Sequence, residues 1–140
     1  KLDASGAVSW ERSYGSTGWE GFRSVVQTPD GGCLAGGYTV GSWTAGWSMW
    51  ILKLDASGAV LWEKTYDRGD SEVVRSMLRT SDGGYIVAGD DNNDAHLMKL
   101  APDGSVQWHN EYGFSSSYGE GFYDVIETAG GYIAAGYADP

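Results

Sequence analysis

Three glutamates, Glu20, Glu72 and Glu120, recur at one position of a repeated pattern, two residues ahead of an apolar stretch. Carboxylates gathered near one mouth of a channel could bind a cation or a sugar hydroxyl. The favoured alternative has each Glu bonding backbone N–H groups of its linker or of the next repeat, because ligand sites seldom recur identically. Residues 90–94 read Asp-Asp-Asn-Asn-Asp, and their D-x-N-x-D spacing makes Asp90, Asn92 and Asp94 candidate ligands for Ca2+. The Gly and distal Glu of a calcium loop are missing, since Ala95, His96 and Leu97 follow. A solvated turn, with Asp94 capping the next strand, is therefore favoured, and no other cofactor is expected.

The corresponding loop one repeat earlier is longer and aromatic, spanning residues 40–47. Trp43 and Trp47 on this Gly/Ser loop could stack on sugar rings or anchor a protein partner. The favoured alternative has them fold over a sheet edge or meet a neighbouring domain. His96 and His109 fall in different strands of one repeat, without metal-ligand spacing. Cys33 is the only cysteine; Tyr85 and Tyr132 hold its place in the other repeats, so it reads as a small buried hydrophobe. A catalytic thiol would want a nearby His, and the same repeat has none. No nucleophile elbow, phosphate-cradling loop or paired-Cys motif appears.

These residues are carried by a stretch that occurs three times. Residues 53–66 read KLDASGAVLWEKTY, residues 1–14 KLDASGAVSWERSY and residues 99–112 KLAPDGSVQWHNEY. Each copy joins an apolar strand end, a turn containing Gly, and a second strand. Gly supplies positive φ without steric cost, and Asp or Ser caps the turn. The second strand alternates with period two, placing Val8, Trp10 and Tyr14 on one face, with Val60, Trp62, Tyr66 and Val106, Trp108, Tyr112 as their equivalents. That face is expected to be buried and the other, mostly polar, to be wet. The run Met49 to Leu52 is apolar without alternation, which fits a strand covered on both faces. Helix is the competing reading, and strand is favoured because turn signals bound the run within ~8 residues.

Two further strands fill each repeat. Phe22 to Thr28, Val74 to Thr80 and Phe122 to Thr128 correspond, and each leads through a tight turn to a segment rich in Ala and Gly (Cys33 to Tyr38, Tyr85 to Gly89, Tyr132 to Tyr137). Four short strands per ~40–50 residues is the signature of a β-propeller blade. Small residues on the second strand and Trp and Tyr on the fourth are consistent with strand order running outwards from an axis.

The pattern T-x-D-G-G-Y-I-V-A-G followed by K-L-D-x-x-G-x-x-x-W-x-x-x-Y resembles a group of secreted bacterial and archaeal β-propeller repeat proteins, over nearly the whole chain. The hairpin alone is also similar to the tryptophan-docking motif of quinoprotein dehydrogenases and related lipoprotein propellers. That resemblance implies that Trp10, Trp62 and Trp108, with Tyr14, Tyr66 and Tyr112, pack adjacent blades together. It implies placement outside the cytoplasm, secreted or at the cell surface.

The expected fold is all-β, with four-stranded antiparallel blades at residues 20–66 and 72–112, an outer part-blade at 1–14 and an inner part-blade at 120–140. Rings use about 4–8 blades, so three cannot close alone. The chain starts in mid-motif, and the expectation is an excerpt of a longer propeller; a second copy completing a six-bladed ring is the alternative. Net charge is −10, which argues against nucleic acid and against docking on anionic membranes. No apolar run approaches the ~20 residues of a membrane span. The leading functional expectation is a non-enzymatic interaction or adhesion module for a protein or glycan. Part of a quinoprotein-like oxidoreductase and a lectin-like propeller are the alternatives.

Overall fold

Asp-led turns punctuate the chain. Asp55 Oδ1 accepts from Ser57 N (2.8 Å), Ser57 Oγ (2.7 Å) and Ala59 N (2.9 Å), and Gly58 takes a φ of +81°. Only Gly adopts that conformation without steric cost. Asp3 and Asp103 repeat the arrangement with Ser5 and Ser105. The serine hydroxyls, with backbone N–H groups behind them, hold all three carboxyls below their ordinary titration range.

A computed structural model describes residues 1–40, 46–69, 71–91, 93–113 and 119–138, and among these the fold is all-β. The strands are β1 (Trp19–Gln27), β2 (Cys33–Val40), β3 (Ser48–Leu54), β4 (Val60–Tyr66), β5 (Val73–Arg79), β6 (Tyr85–Asp90), β7 (Ala95–Leu100), β8 (Val106–Tyr112), β9 (Glu120–Thr128) and β10 (Gly131–Ala138). They form three antiparallel sheets in chain order: β1-β2-β3-β4, β5-β6-β7-β8 and the pair β9-β10.

A second device locks the β1–β2 and β5–β6 turns to the strand that follows. Asp30 Oδ1 accepts from Thr28 Oγ1 and Gly32 N, and its Oδ2 takes Lys53 Nζ at 2.8 Å. Lys53 Nζ also reaches Thr28 Oγ1 (2.8 Å) and the Leu54 carbonyl (3.1 Å). Lys99 repeats this with Asp82 (3.0 Å) and the Leu100 carbonyl (3.3 Å). The lysines are buried at the ends of β3 and β7, where a charge persists only because it is paired and bonded. Hydrogen bonds from the lysine, Thr and Gly pull both Asp carboxyls well below their ordinary range.

The sheets lie side by side, and their first strands meet. β1 packs on β5 and β5 on β9, while β2 and β3 also touch β5, and β6 and β7 touch β9. Hydrogen bonds cross each junction within one residue of the same step, from Met77 N to Ser24 Oγ (2.9 Å) and from Ser76 Oγ to Asp124 Oδ1 (2.8 Å). The first junction buries Leu34, Met49 and Ile51 against Val74, Met77, Tyr85 and Val87. The second buries Ile86, Ala88 and Leu97 against Val125, with Phe122 and Tyr132 packed on them. Strands β3 and β7 are covered on both faces, as their continuous apolar runs require.

Two expectations are corrected. Residues 1–14 keep the hairpin but form no extended strand: Leu2↔Val8 bridge where Leu54 pairs Val60, and Lys1 and Trp10 exchange backbone hydrogen bonds (2.6 and 3.4 Å) where Lys53 pairs Trp62. Only Lys1, Leu2 and Asp3 precede its turn, so no described residue stands opposite residues 11–14 to continue the ladder. The face carrying Trp10, Trp62, Trp108, Tyr14, Tyr66 and Tyr112 is half-buried rather than buried, and Val8, Val60 and Val106 on it are exposed. A register shift at Lys53/Leu54 and at Lys99/Leu100 puts two outer-strand residues opposite one, which turns the valines outwards.

Candidate functional site

The first strand of every sheet is bulged at the same step. Phe22 pairs Gly37 and Ser24 pairs Gly36, leaving Arg23 as the extra residue. Val74 and Ser76 pair Gly89 and Ala88 around Arg75, and Phe122 and Asp124 pair Gly136 and Ala135 around Tyr123. The glycine opposite makes this geometry accessible. A Cβ on Gly37 would lie 1.8 Å from Gly21 O, one on Gly89 2.0 Å from Val73 O, and one on Gly136 1.8 Å from Gly121 O. Bulges re-aim side chains, and here each extra residue turns onto the residue that follows the glycine.

The result is a cationic and aromatic rim. Arg23 Cζ sits 5.4 Å from the centroid of the Tyr38 ring, and Tyr38 stacks on Trp47 at 4.7 Å with 17° between planes. Arg75 binds the Asp90 carboxylate through Nε and, at 3.1 Å, through Nη2. Its Cζ also lies 5.8 Å over Tyr123, which stacks on Tyr137 at 5.1 Å. Trp19, Trp47, Tyr123 and Tyr137 are exposed, as is Arg23. Guanidinium donors beside open aromatic faces suit the capture of planar, apolar or hydroxyl-bearing surfaces.

Of the aromatic loop, Trp47 belongs to this rim, whereas Trp43 lies outside the described residues. Asn92 does too. The Asp90 carboxylate is engaged by Arg75, and Asp91 Oδ1 closes the turn by accepting from Asn93 N (2.8 Å) and Asp94 N (2.7 Å). Among the described residues no group of three or more His, Cys, Asp or Glu side chains is placed to hold a metal ion.

The three glutamates sit at the entry of β1, β5 and β9. Glu20 Oε1 accepts from Ser16 Oγ (2.9 Å) and Ser16 N (3.2 Å), and Glu72 Oε1 from Arg68 N (2.8 Å). Their backbones tie sheet to sheet, since Glu72 N donates to Trp47 O (2.9 Å) and Glu120 N to Asn93 O (3.2 Å). Glu72 and Glu120 are buried, and burial pushes the Glu72 carboxyl up. The Glu20 and Glu72 carboxylates therefore engage their own linkers, while the Glu72 and Glu120 backbones hold the loop of the preceding sheet.

The aromatic residues of the repeated hairpin lie on the following hairpin. Tyr14 Oη donates to Gly58 O (2.6 Å) and Tyr66 Oη to Gly104 O (2.7 Å). Trp10 and Trp62 cover the same glycines. Trp108 packs against Tyr132, and Tyr112 against Phe122.

One pair surfaced only in three dimensions. His96 and His109 lie diagonally across β7 and β8, with ring centroids 5.3 Å apart, where the first sheet has Trp50 donating to Glu63 (2.7 Å). Arg68 Nη1 reaches His109 Nδ1 at 2.7 Å. Arginine only donates, so Nδ1 accepts and the neutral ring carries its proton on Nε2. His96 is fully buried, and burial followed by His109 pushes it down to about 4. Among the described residues neither nitrogen of His96 has a protein hydrogen-bond partner.

The alternation of β1, β5 and β9 did not disclose Arg23, Arg75 and Tyr123. The available signal was the glycine repeated at Gly37, Gly89 and Gly136 beside an otherwise variable pair of positions. No protein-family model matches this chain, and no curated protein matches it.

Proposed function

We propose that the chain is a run of β-propeller blades acting as a non-enzymatic interaction module outside the cytoplasm, and that its rim binds a protein or glycan. Side-by-side sheets whose first strands meet, with Trp and Tyr on the last strands, fit blades fanned about an axis. The placement outside the cytoplasm comes from the resemblance of the repeats. The observation that carries the binding reading is the bulge at one step of all three sheets, which directs Arg23, Arg75 and Tyr123 to one type of position. Of the two ligand classes, a glycan suits the exposed Trp47 and Tyr123 rings best, because sugar C–H faces stack on aromatics while Arg23 donates to hydroxyls.

A glycan array with the unaltered chain and the Trp47→Ala and Tyr123→Ala variants tests this. Binding should weaken about tenfold in either variant, a loss of ~1.4 kcal/mol. An array without hits, or hits that both variants retain at full strength, removes the rim as a glycan site. A cofactor absorbance in the purified protein would instead favour the oxidoreductase reading.

A further inference from the structure

Among the described residues one type of sheet junction is made twice, and faces matching its two halves lie open on the first and last sheets. At each internal junction a face with Val26, Leu34 and Ile51, or their counterparts Leu78, Ile86 and Leu97, covers a face with Met77 or its counterpart Val125. The β9–β10 sheet carries the covering face again as Ile126 and Ile133, and the first sheet carries the covered face again as Phe22 and Val25. Val25 and Ile133 are open, whereas their counterparts are buried at the internal junctions. Val25 is 70% exposed against 6% for Met77 and 3% for Val125, and Ile133 is 58% exposed against 0% for Leu34 and Ile86.

The N-terminal segment shows where such a half would fit. Trp10 and Tyr14 already lie on the first sheet as Trp62 and Tyr66 lie on the second, through Tyr14 Oη to Gly58 O (2.6 Å) and Tyr66 Oη to Gly104 O (2.7 Å). Between that segment and the β1–β2 hairpin is a notch of about 560 Å³, lined by Lys1, Trp10, Val25, Gln27 and Cys33. Within the complete sheets a second strand flanks the lysine strand, with Leu34↔Lys53 and Ile86↔Lys99 in register. The counterpart of Leu34 and Ile86 is Ile133 on β10, whose far edge has no strand partner among the described residues.

We propose that the β9–β10 hairpin of one copy enters the notch of a second copy of this chain. β10 then pairs with Lys1–Leu2, setting Ile133 opposite Lys1 and Tyr132 opposite Leu2, while Ile126 and Ile133 cover Val25. The occupant is argued from the chain itself, which carries both halves of a junction it twice makes internally. The contact is head to tail, so it closes a ring where the rotation fits and extends a filament where it does not. The rim is not used, and the inference does not depend on its function.

Sedimentation of the 140-residue chain over about 1–200 μM, spanning ordinary weak-to-moderate affinities, tests it. The expected result is a species of at least twice the 15.0 kDa chain mass, strengthened by salt because it joins two acidic molecules through apolar faces. Ile126→Asp with Ile133→Asp, and separately Val25→Asp, should each return the 15.0 kDa species with an unchanged circular dichroism spectrum, since these side chains are exposed in the single copy. Trp47→Ala, on the rim, should leave the association intact. An unaltered chain that stays at 15.0 kDa throughout, or association that survives both sets of Asp variants, overturns the proposal.

Discussion

His96 shows how one side chain can set a response of the whole molecule. Its ring, carried on β7, is fully buried, and the charges near it are mixed: His109 and Arg68 oppose protonation, whereas Asp91 favours it. Burial dominates and holds the folded ring at about 4, below the ordinary 6.5 of an exposed histidine. Protonation therefore favours the unfolded chain. The contribution is complete above pH ~6.5 and drains away as the pH falls towards 4, and the gap corresponds to about 3 kcal/mol. His109, also lowered chiefly by burial, acts in the same direction. Urea denaturation between pH 7 and pH 5 should show a falling midpoint, and His96→Leu should flatten that slope. A midpoint that falls equally in the variant would assign the effect elsewhere. Neither histidine was readable as one of a pair, because the register Met98↔His109 creates the proximity and a lone sequence does not display register. The lysines of the KL repeat were legible as strand ends, but their burial was hidden, since it depends on Asp30 and Asp82 arriving from the preceding hairpin.

At the scale of elements, hairpins and turns were legible because Asp-x-x-Gly chemistry is local, whereas bulges were not, because they depend on the partner strand. The glycine opposite each bulge is the testable part. In Gly89→Ala the new Cβ would fall 2.0 Å from Val73 O and 2.7 Å from His96 Nε2, so β5 must retreat and carry Arg75 off the rim. Overpacking of this kind costs about 1–3 kcal/mol, which lowers the thermal midpoint by roughly 3–10 °C in a domain of this size. Gly130→Ala is the internal comparison, since nothing lies within 4 Å of its added Cβ. Calorimetry on the two variants should separate them by several degrees. Equal midpoints would mean that the close approach does not constrain β5. The first hairpin makes the complementary point. Its residues match those of the other copies, and they make the matching rungs Leu2↔Val8 and Lys1 with Trp10, while no described residue stands opposite residues 11–14.

Across the whole molecule, stability is shared between sheets through contacts that recur from one junction to the next. Arrays of this type gain stability from nearest-neighbour junctions, so a weakened junction should be felt by both sheets that share it. Tyr66 sits at the junction of the first and second sheets, packed on the largest apolar cluster, and its hydroxyl donates to Gly104 O. Burial pushes that hydroxyl up to about 12, so it remains a donor at any pH the fold survives. Tyr66→Phe keeps the ring and orphans a carbonyl, at a cost of about 1 kcal/mol or roughly 3–4 °C in thermal midpoint. Tyr14 makes the matching bond to Gly58 O with less burial around it, on a segment that no full sheet supports. Tyr14→Phe should therefore cost clearly less in a dilute, single-copy sample. Once the proposed head-to-tail contact forms, that segment gains a sheet beside it and the cost of Tyr14→Phe should rise towards that of Tyr66→Phe. Thermal unfolding of both variants at about 1 μM and 200 μM, below and above a typical moderate dissociation constant, reads this directly. A gap between the two variants that narrows with concentration supports junction-by-junction stability, and a gap that stays constant contradicts it.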